Sequence, residues 1–331
     1  MFTISVNFRK FFCLREALFI KKNKDRWTQI EEQPASDPDE MASEFIQLVD
    51  DLSYAKTFYP TSRTTRYLNI AASRIYLGIY RNRKADVNPL ARFCKYDLPR
   101  TIRRHHRVLL LSFTIFAFFF AIGLFSARGD ESFIREMLGN DYVNMTEDNI
   151  AQGNPFGVYQ GENPLYMWLW ILKNNIWVSI RMTAGGVLLG LVPLYQLVFE
   201  GIRLGAFEAL FAQKGLAGDF VLTIFIHGTL EISALIIAGA AGLVIGKGFL
   251  FPGTLSRLEA FKRSAKDACK ITIGLVPVFI TAAFFEGFVT RHAGMPVWGK
   301  LLILGGSLTF ILGYFVIYPI RLDKKGGAAH A

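Results

Sequence analysis

The chain has 331 residues, 52% of them hydrophobic and 14% aromatic, with a formal net charge of +10. Positive mean hydropathy beside 19% charged residues excludes a uniformly soluble chain and points to membrane spans joined to a charged soluble part. Three cysteines, widely spaced, exclude a disulfide framework and a cysteine-based zinc site.

Residues 1–106 are polar and basic and read as a helical cytoplasmic domain. In "DPDEMASEFIQLVDDLSYAKTFYP" the apolar residues Met41, Phe45, Leu48, Leu52 and Ala55 recur every three or four positions and draw one helical stripe. Asp37, followed by Pro38 and Glu40, marks the N-terminus of that helix, and Pro60 its end. A second helix is expected from Thr61, with Tyr67, Ile70, Ala71, Ile75 and Ile79 on its apolar side. The basic stretch "LARFCKYDLPRTIRRHHRV" leads along the membrane surface towards the first span.

That span, residues 107–126, contains "VLLLSFTIFAFFFAIGLF" and is long enough to cross ~30 Å of hydrocarbon. Too early a break by charge rules out reading the N-terminus as a signal peptide. Arg100, Arg103, Arg104 and Arg107 precede the span, which places this side in the cytoplasm. Residues 127–165 are acidic, with Asp130, Glu131, Glu136, Asp141, Glu147, Asp148 and Glu162, and belong outside.

Residues 166–321 form the helical membrane domain. "PLYMWLWILKNNIWVSIRMTAGGVLLGLVPLYQLVF" returns the chain inward, either as one span or as an interfacial aromatic helix followed by the span proper. Trp168, Trp170 and Trp177 suit an outer aromatic belt. Glu200 to Gln213 is short and charged, and reads as a tilted crossing or a re-entrant helix. Residues 224–246 then run inward to a basic loop holding Lys262, Arg263, Lys266 and Lys270. Spans near 271–289 and 301–320 follow, and 322–331 is a basic cytoplasmic tail. The fold class is all-α: a polytopic protein of about six crossings with both termini in the cytoplasm. Cys13, Cys94 and Cys269 all fall on its cytoplasmic side.

Ionisable residues inside spans are costly and so face the bundle interior or a wet cavity. His227 and Glu231, at i and i+4 in "IFIHGTLEISALIIAGAAGLVIG", share a helix face, and Glu286 lies in the fifth span. Glu200 and Arg203, with Arg181, Glu208 and Asp219 nearby, extend this polar centre. Three readings stay open: interhelical hydrogen bonds that fix packing, a proton or cation relay, and metal ligation. The third is the least favoured, because "HGTLE" is not the H-E-x-x-H pattern and His292 lies at the outer edge; no metal, cofactor or catalytic group is expected. Gly186 and Gly190, then Gly239, Gly242 and Gly246, provide small-residue surfaces for an oligomer interface or for packing within the chain.

"ILKNNIWVSIRMTAGGVLLGLVPLYQLVFEGIRLG", "FIHGTLEISALIIAGAAGLVIG" and "AAFFEGFVT" together resemble the stage II sporulation protein M family of multi-pass membrane proteins. Asn174 or Asn175, Gly201, Gly205, His227, Gly228 and Glu231 match its positions. Glu200 departs from it, standing where the family more often has Asn. "FIKKNKDRW" resembles the N-terminal domain of a subgroup.

The resemblance implies a non-enzymatic inner-membrane scaffold acting with cell-wall-remodelling partners, as sporulating members do beside a peptidoglycan hydrolase. The expected partners are those envelope proteins, further copies of the chain, and anionic headgroups at the cytoplasmic face. Lipid attraction of ~1 kcal/mol per basic residue accounts for the net charge without nucleic acid. The rival reading is a channel or a proton- or cation-coupled transporter.

Overall fold

The computed structural model describes residues 16–32, 37–81, 88–157, 163–290 and 295–328; every regular element among them is helical. The chain divides into two units, Met1–Asn88 and Pro89–Ala331.

The first unit is built from α1 (Glu16–Glu32), α2 (Pro38–Phe58) and α3 (Arg63–Arg81). The Asp37 carboxylate caps α2 by accepting from the Glu40 amide at 3.3 Å, and Pro38 begins the helix without losing an intrahelical bond. Met41, Leu48, Leu52 and Ala55 of the expected stripe are buried, and Leu48, Leu52 and Ala55 pack with Phe19, Trp27, Ile30, Leu68, Ala72 and Ile75. Ile79 lies outside the residues whose side chains are described. The Trp27 indole donates to Asp51 Oδ2 at 2.8 Å, and Arg26 pairs with the same carboxylate. This core explains why the three helices need each other: each has one apolar face, and together they bury all three.

The second unit begins with α4 (Pro89–Arg92), a π turn (Phe93–Asp97) and α5 (Leu98–Arg104), and continues into α6 (His106–Ser126). Leu98 and Ile102 are buried against Ile271, Leu275 and Phe315. The expected domain boundary at residue 106 therefore moves to Asn88, because α5 carries a buried apolar face that belongs to the bundle.

The acidic segment after α6 is also helical, as α7 (Glu131–Leu138) and α8 (Asn140–Ala151). Ile134 and Val143 cover Ala206, Ala209 and Leu210, while Arg135 and Lys214 both reach Glu147, at 3.1 and 2.7 Å.

Next come α9 (Pro164–Ala184), a 3-10 turn (Gly185–Val187) and α10 (Leu191–Gln213). The chain reverses here: Leu189 and Gly190 have φ of 56° and 82°, a left-handed pair that ends any helix. The break thus falls at Gly185–Gly190 rather than at Glu200. Glu200–Gln213 is not a separate short segment but the C-terminal part of a continuous 23-residue helix.

The bundle is completed by α11 (Ala217–Leu250), α12 (Arg257–Phe284) with a terminal π turn (Phe285–Val289), and α13 (Val297–Phe310), a π segment (Ile311–Ile317) and α14 (Tyr318–Ala328). Four helices among the described residues are long and apolar enough to cross a membrane: His106–Ser126, Ala217–Leu250, Arg257–Val289 and Val297–Lys324. Large apolar side chains such as Leu110, Phe113, Phe118, Leu302 and Phe310 are exposed on their outer faces, as lipid contact requires.

Glycine sets the helix spacing. A Cβ on Gly186 would meet the Gly242 carbonyl at 2.1 Å, one on Gly246 the Gly190 amide at 2.6 Å, and one on Gly205 the Phe120 carbonyl at 2.3 Å. A Cβ on Gly201 would meet the Phe116 carbonyl at 2.8 Å, and one on Gly239 the Leu197 side chain at 2.8 Å. These surfaces are consumed inside the chain, so they are not open for the oligomer interface that their spacing suggested. Gly228 differs: a Cβ there meets only Ile232 and Ile224, at ordinary contact distance.

Candidate functional site: a buried His-Glu-Glu centre

α11 carries His227 and Glu231 one turn apart on one face. The π turn that closes α12 carries Glu286 to them. Potential ligand atoms of all three side chains lie within 4.8 Å of one another, with His227 buried and Glu231 and Glu286 half-buried as whole residues. A π turn inserts one extra residue per turn and re-aims the side chains that follow, and such turns recur at functional sites. Here its closing bond runs from the Thr290 amide to the Phe285 carbonyl, at 2.8 Å.

Thr290 also orients the histidine. Its hydroxyl donates to the Phe285 carbonyl at 3.1 Å, so its oxygen is left to accept from His227 Nδ1, 3.0 Å away. With the threonine proton on Phe285, Nδ1 is the donor of this pair.

α9 closes the centre from the other side. Asn175, Val178, Ser179 and Met182 line a small cavity with Glu231, Leu235 and Phe279. Asn175 Nδ2 and Ser179 Oγ are buried without a hydrogen-bond partner. The cavity's lining is mostly apolar, and the amide, hydroxyl and carboxylate on one side are the groups that could hold a single water there.

Other expected members of the centre are placed differently. Glu200 and Arg203 pair with each other at 2.6 Å along α10, with the guanidinium on the exposed side. Asn174 is exposed and reaches the centre only through a 3.4 Å bond to Asn175 Oδ1. Arg181 and Asp219 are exposed. His292 lies outside the described residues.

Tyr142 of α8 stacks edge-on against Phe207 at 5.7 Å. Its hydroxyl pKa is pushed up to about 12, first by burial and then by the nearby Glu286 carboxylate.

The expectation of no metal-ligand set rested on spacing within α11. The third ligand-type group instead comes from another helix, where spacing along the chain is silent. Thr290 and Ser179 were not singled out either; the only trace of Thr290 is its place four residues after Glu286 in "EGFVT". Chemically, an imidazole, two carboxylates and a small cavity beside them can hold a cation, exchange a proton or tie two helices together.

Two family models match the chain. Residues 17–81, which contain α1–α3, match a domain of unknown function (DUF8413), and residues 112–291, which contain His227, Glu231, Glu286 and Thr290, match stage II sporulation protein M. An uncharacterized protein of Methanocaldococcus jannaschii is 28% identical over 122 residues, covering 36% of this chain and 68% of that protein. No solved structure gives a significant match. The match over 112–291 takes in more than half of the chain and every residue of the polar centre, and the chain belongs to the stage II sporulation protein M family.

Proposed function

We propose that this protein is a non-enzymatic, six-pass protein of the cytoplasmic membrane that serves as an assembly platform for envelope-remodelling proteins. The observation that carries the reading is a rigid membrane bundle combined with a self-supporting helical unit. Backbone-to-backbone contacts such as Gly186 on Gly242 fill the bundle, and α1–α3 have a core of their own that can act as a docking module. Membership in a family not known for enzymes agrees with it.

Six crossings are the four long apolar helices together with α9 and α10, and the placement of α10 supports the count. Gly190, at its N-terminus, abuts Gly246 near the end of α11, and the Gln213 amide, at its C-terminus, donates to Ala127 just beyond α6 at 2.8 Å. Its 23 residues, about 34 Å at 1.5 Å each, match the hydrocarbon thickness. Arg103 of α5 pairs with Asp323 of α14 at 2.9 Å, which supports a reading in which both lie on one side of the membrane. The basic residues flanking α6 make that side the cytoplasm, in contact with anionic headgroups. Further copies of the chain and cell-wall-remodelling enzymes are the proposed protein partners.

The platform reading is tested by mild crosslinking of native membranes and purification of the full chain with its partners. A cell-wall hydrolase or its membrane partner recovered with it, and lost when residues 1–88 are deleted, supports the reading. A protein purified without envelope partners, yet conducting protons or cations in liposomes, overturns it. That second reading, a channel or a proton- or cation-coupled transporter, is favoured by the buried His227, Glu231 and Glu286 cluster. It requires that Glu231→Gln abolish the flux.

A further inference from the structure

We propose that the tip of the α11–α12 hairpin, residues 247–266, is a membrane-surface anchor that inserts apolar side chains among anionic phospholipid headgroups. The inference goes beyond the platform reading and needs only that α11 and α12 cross the bilayer.

Level is the first argument. Gly246 of α11 abuts the Gly190 amide, at the reversal that joins α9 to α10. On α12, Asp267 accepts from Arg104 at 2.8 Å and from His105 at 2.9 Å, the residues just before α6. Gly246 and Asp267 therefore mark the level at which α6, α9 and α10 end, and the tip projects past it. Arg104, Lys247 and Lys266 at that level set the edge of the hydrocarbon, because charge is excluded from it. Lys247–Leu250 add about 6 Å of helix beyond the edge, and the headgroup region on each side is about 5–7 Å deep. Phe249, Leu250 and Phe251 thus sit at headgroup depth.

Composition is the second. Phe249, Leu250, Phe251 and Leu258 are all exposed, Phe251 by 74% and Leu258 by 63%. They alternate with five basic residues, Lys247, Arg257, Lys262, Arg263 and Lys266. The single acid, Glu259, already accepts from Arg263 at 3.3 Å. Apolar and basic side chains on one short element suit an anionic bilayer surface: the first leave water for the acyl boundary, and the second meet phosphate. An acidic protein would match the charge but gives no reason for the apolar residues to stand at headgroup depth.

Rigidity is the third. The Leu255 amide donates to the Pro252 carbonyl at 3.3 Å across a turn in which Gly253 has φ of 64°, and Ser256 caps α12 by accepting from the Glu259 amide at 3.3 Å. Ala260 is buried, Phe261 packs against the bundle core, and Gly248 leaves room for Ser264. The tip is shaped before it meets lipid, so insertion orders little.

The test uses the full chain with Cys13→Ser, Cys94→Ser, Cys269→Ser and Thr254→Cys, labelled at the exposed tip with an environment-sensitive fluorophore. Nanodiscs of phosphatidylcholine, with or without phosphatidylglycerol, carry a nitroxide quencher on the lipid headgroup. The expected result is a blue-shifted, strongly quenched label with phosphatidylglycerol, and loss of most of that quenching in phosphatidylcholine alone. Phe251→Ser with Leu258→Ser should abolish the quenching, and Lys262→Gln with Arg263→Gln its dependence on phosphatidylglycerol. All four side chains are exposed, so both double variants keep the fold. A label facing water in both kinds of nanodisc overturns the proposal and assigns the tip to a soluble partner. Quenching that is equal in the two lipids, or unchanged in either double variant, overturns it too, since the depth would then come from helix tilt alone.

Discussion

His227 Nδ1 lies 3.0 Å from Thr290 Oγ1, across two helices, and the threonine's own proton is spent on the Phe285 carbonyl at 3.1 Å. One hydroxyl therefore accepts from an imidazole and also adds a second bond to the π turn that carries Glu286. Replacing it by an isostere without a hydroxyl leaves a buried ring N–H without its acceptor. Thr290→Val should lower stability by about 1–3 kcal/mol, and Thr290→Ser by much less, in thermal unfolding of the purified protein. Equal melting temperatures for the two variants would show that the bond contributes nothing.

Glycine substitutions should divide sharply. Gly186→Ala places a methyl group 2.1 Å from the Gly242 carbonyl, which is backbone and cannot rotate away. Overpacking of this kind costs about 1–3 kcal/mol and should reduce the yield of folded protein. Gly228→Ala meets only flexible isoleucine side chains and removes a weak helix former, for a gain of up to about 1 kcal/mol. Denaturation midpoints measured side by side test both signs.

The first unit should fail on its own. Trp27 is 4% exposed and contributes both ring contacts and a 2.8 Å bond to Asp51, so Trp27→Ala should cost about 3–5 kcal/mol, enough to unfold three short helices. Limited proteolysis should then cut within residues 16–81 while 89–328 stays intact. Resistance of the first segment to protease would contradict a shared three-helix core.

The outer layer should show a small acid dependence. A hydrogen bond from Lys214 is the main factor holding the Glu147 carboxyl below its ordinary value of 4.5, with Arg135 adding to it. A depressed folded-state value means stabilisation that is present above the unfolded-state pKa and lost as pH falls through the folded-state one. Glu147→Gln should therefore be less stable than wild type near neutral pH, and the difference should shrink as pH falls below the ordinary carboxylate value and through the lower folded-state one. Because the pair is largely exposed, salt should shrink the effect. A difference that persisted in acid would assign it to packing instead.

Crossing number can be read with cysteines. In a background of Cys13→Ser, Cys94→Ser and Cys269→Ser, a thiol at exposed Leu188 should be shielded from an impermeant reagent in intact cells, and one at exposed Asp141 should react. Both reacting from outside would mean that α10 does not cross.

Much of this was legible in the residues themselves. Apolar runs in α6, α11 and α12, the stripe from Met41 to Ala55 and the Asp37 cap are local patterns, governed by helix period and by the length needed to span hydrocarbon. The cost of charge in a membrane likewise marked His227, Glu231 and Glu286 before any coordinates. Family membership was readable from the same segments.

Tertiary structure decided the rest. The reversal at Gly185–Gly190, rather than at Glu200, depends on two left-handed residues stabilised against α11, and charge content misplaced it. Leu98 and Ile102 belong to the bundle because of what they touch, not because of local composition. Above all, His227 and Glu286 meet only because α12 packs on α11 and ends in a π turn. Period and hydropathy constrain one helix at a time, whereas a site shared by two helices is set by their packing register, which no single segment encodes.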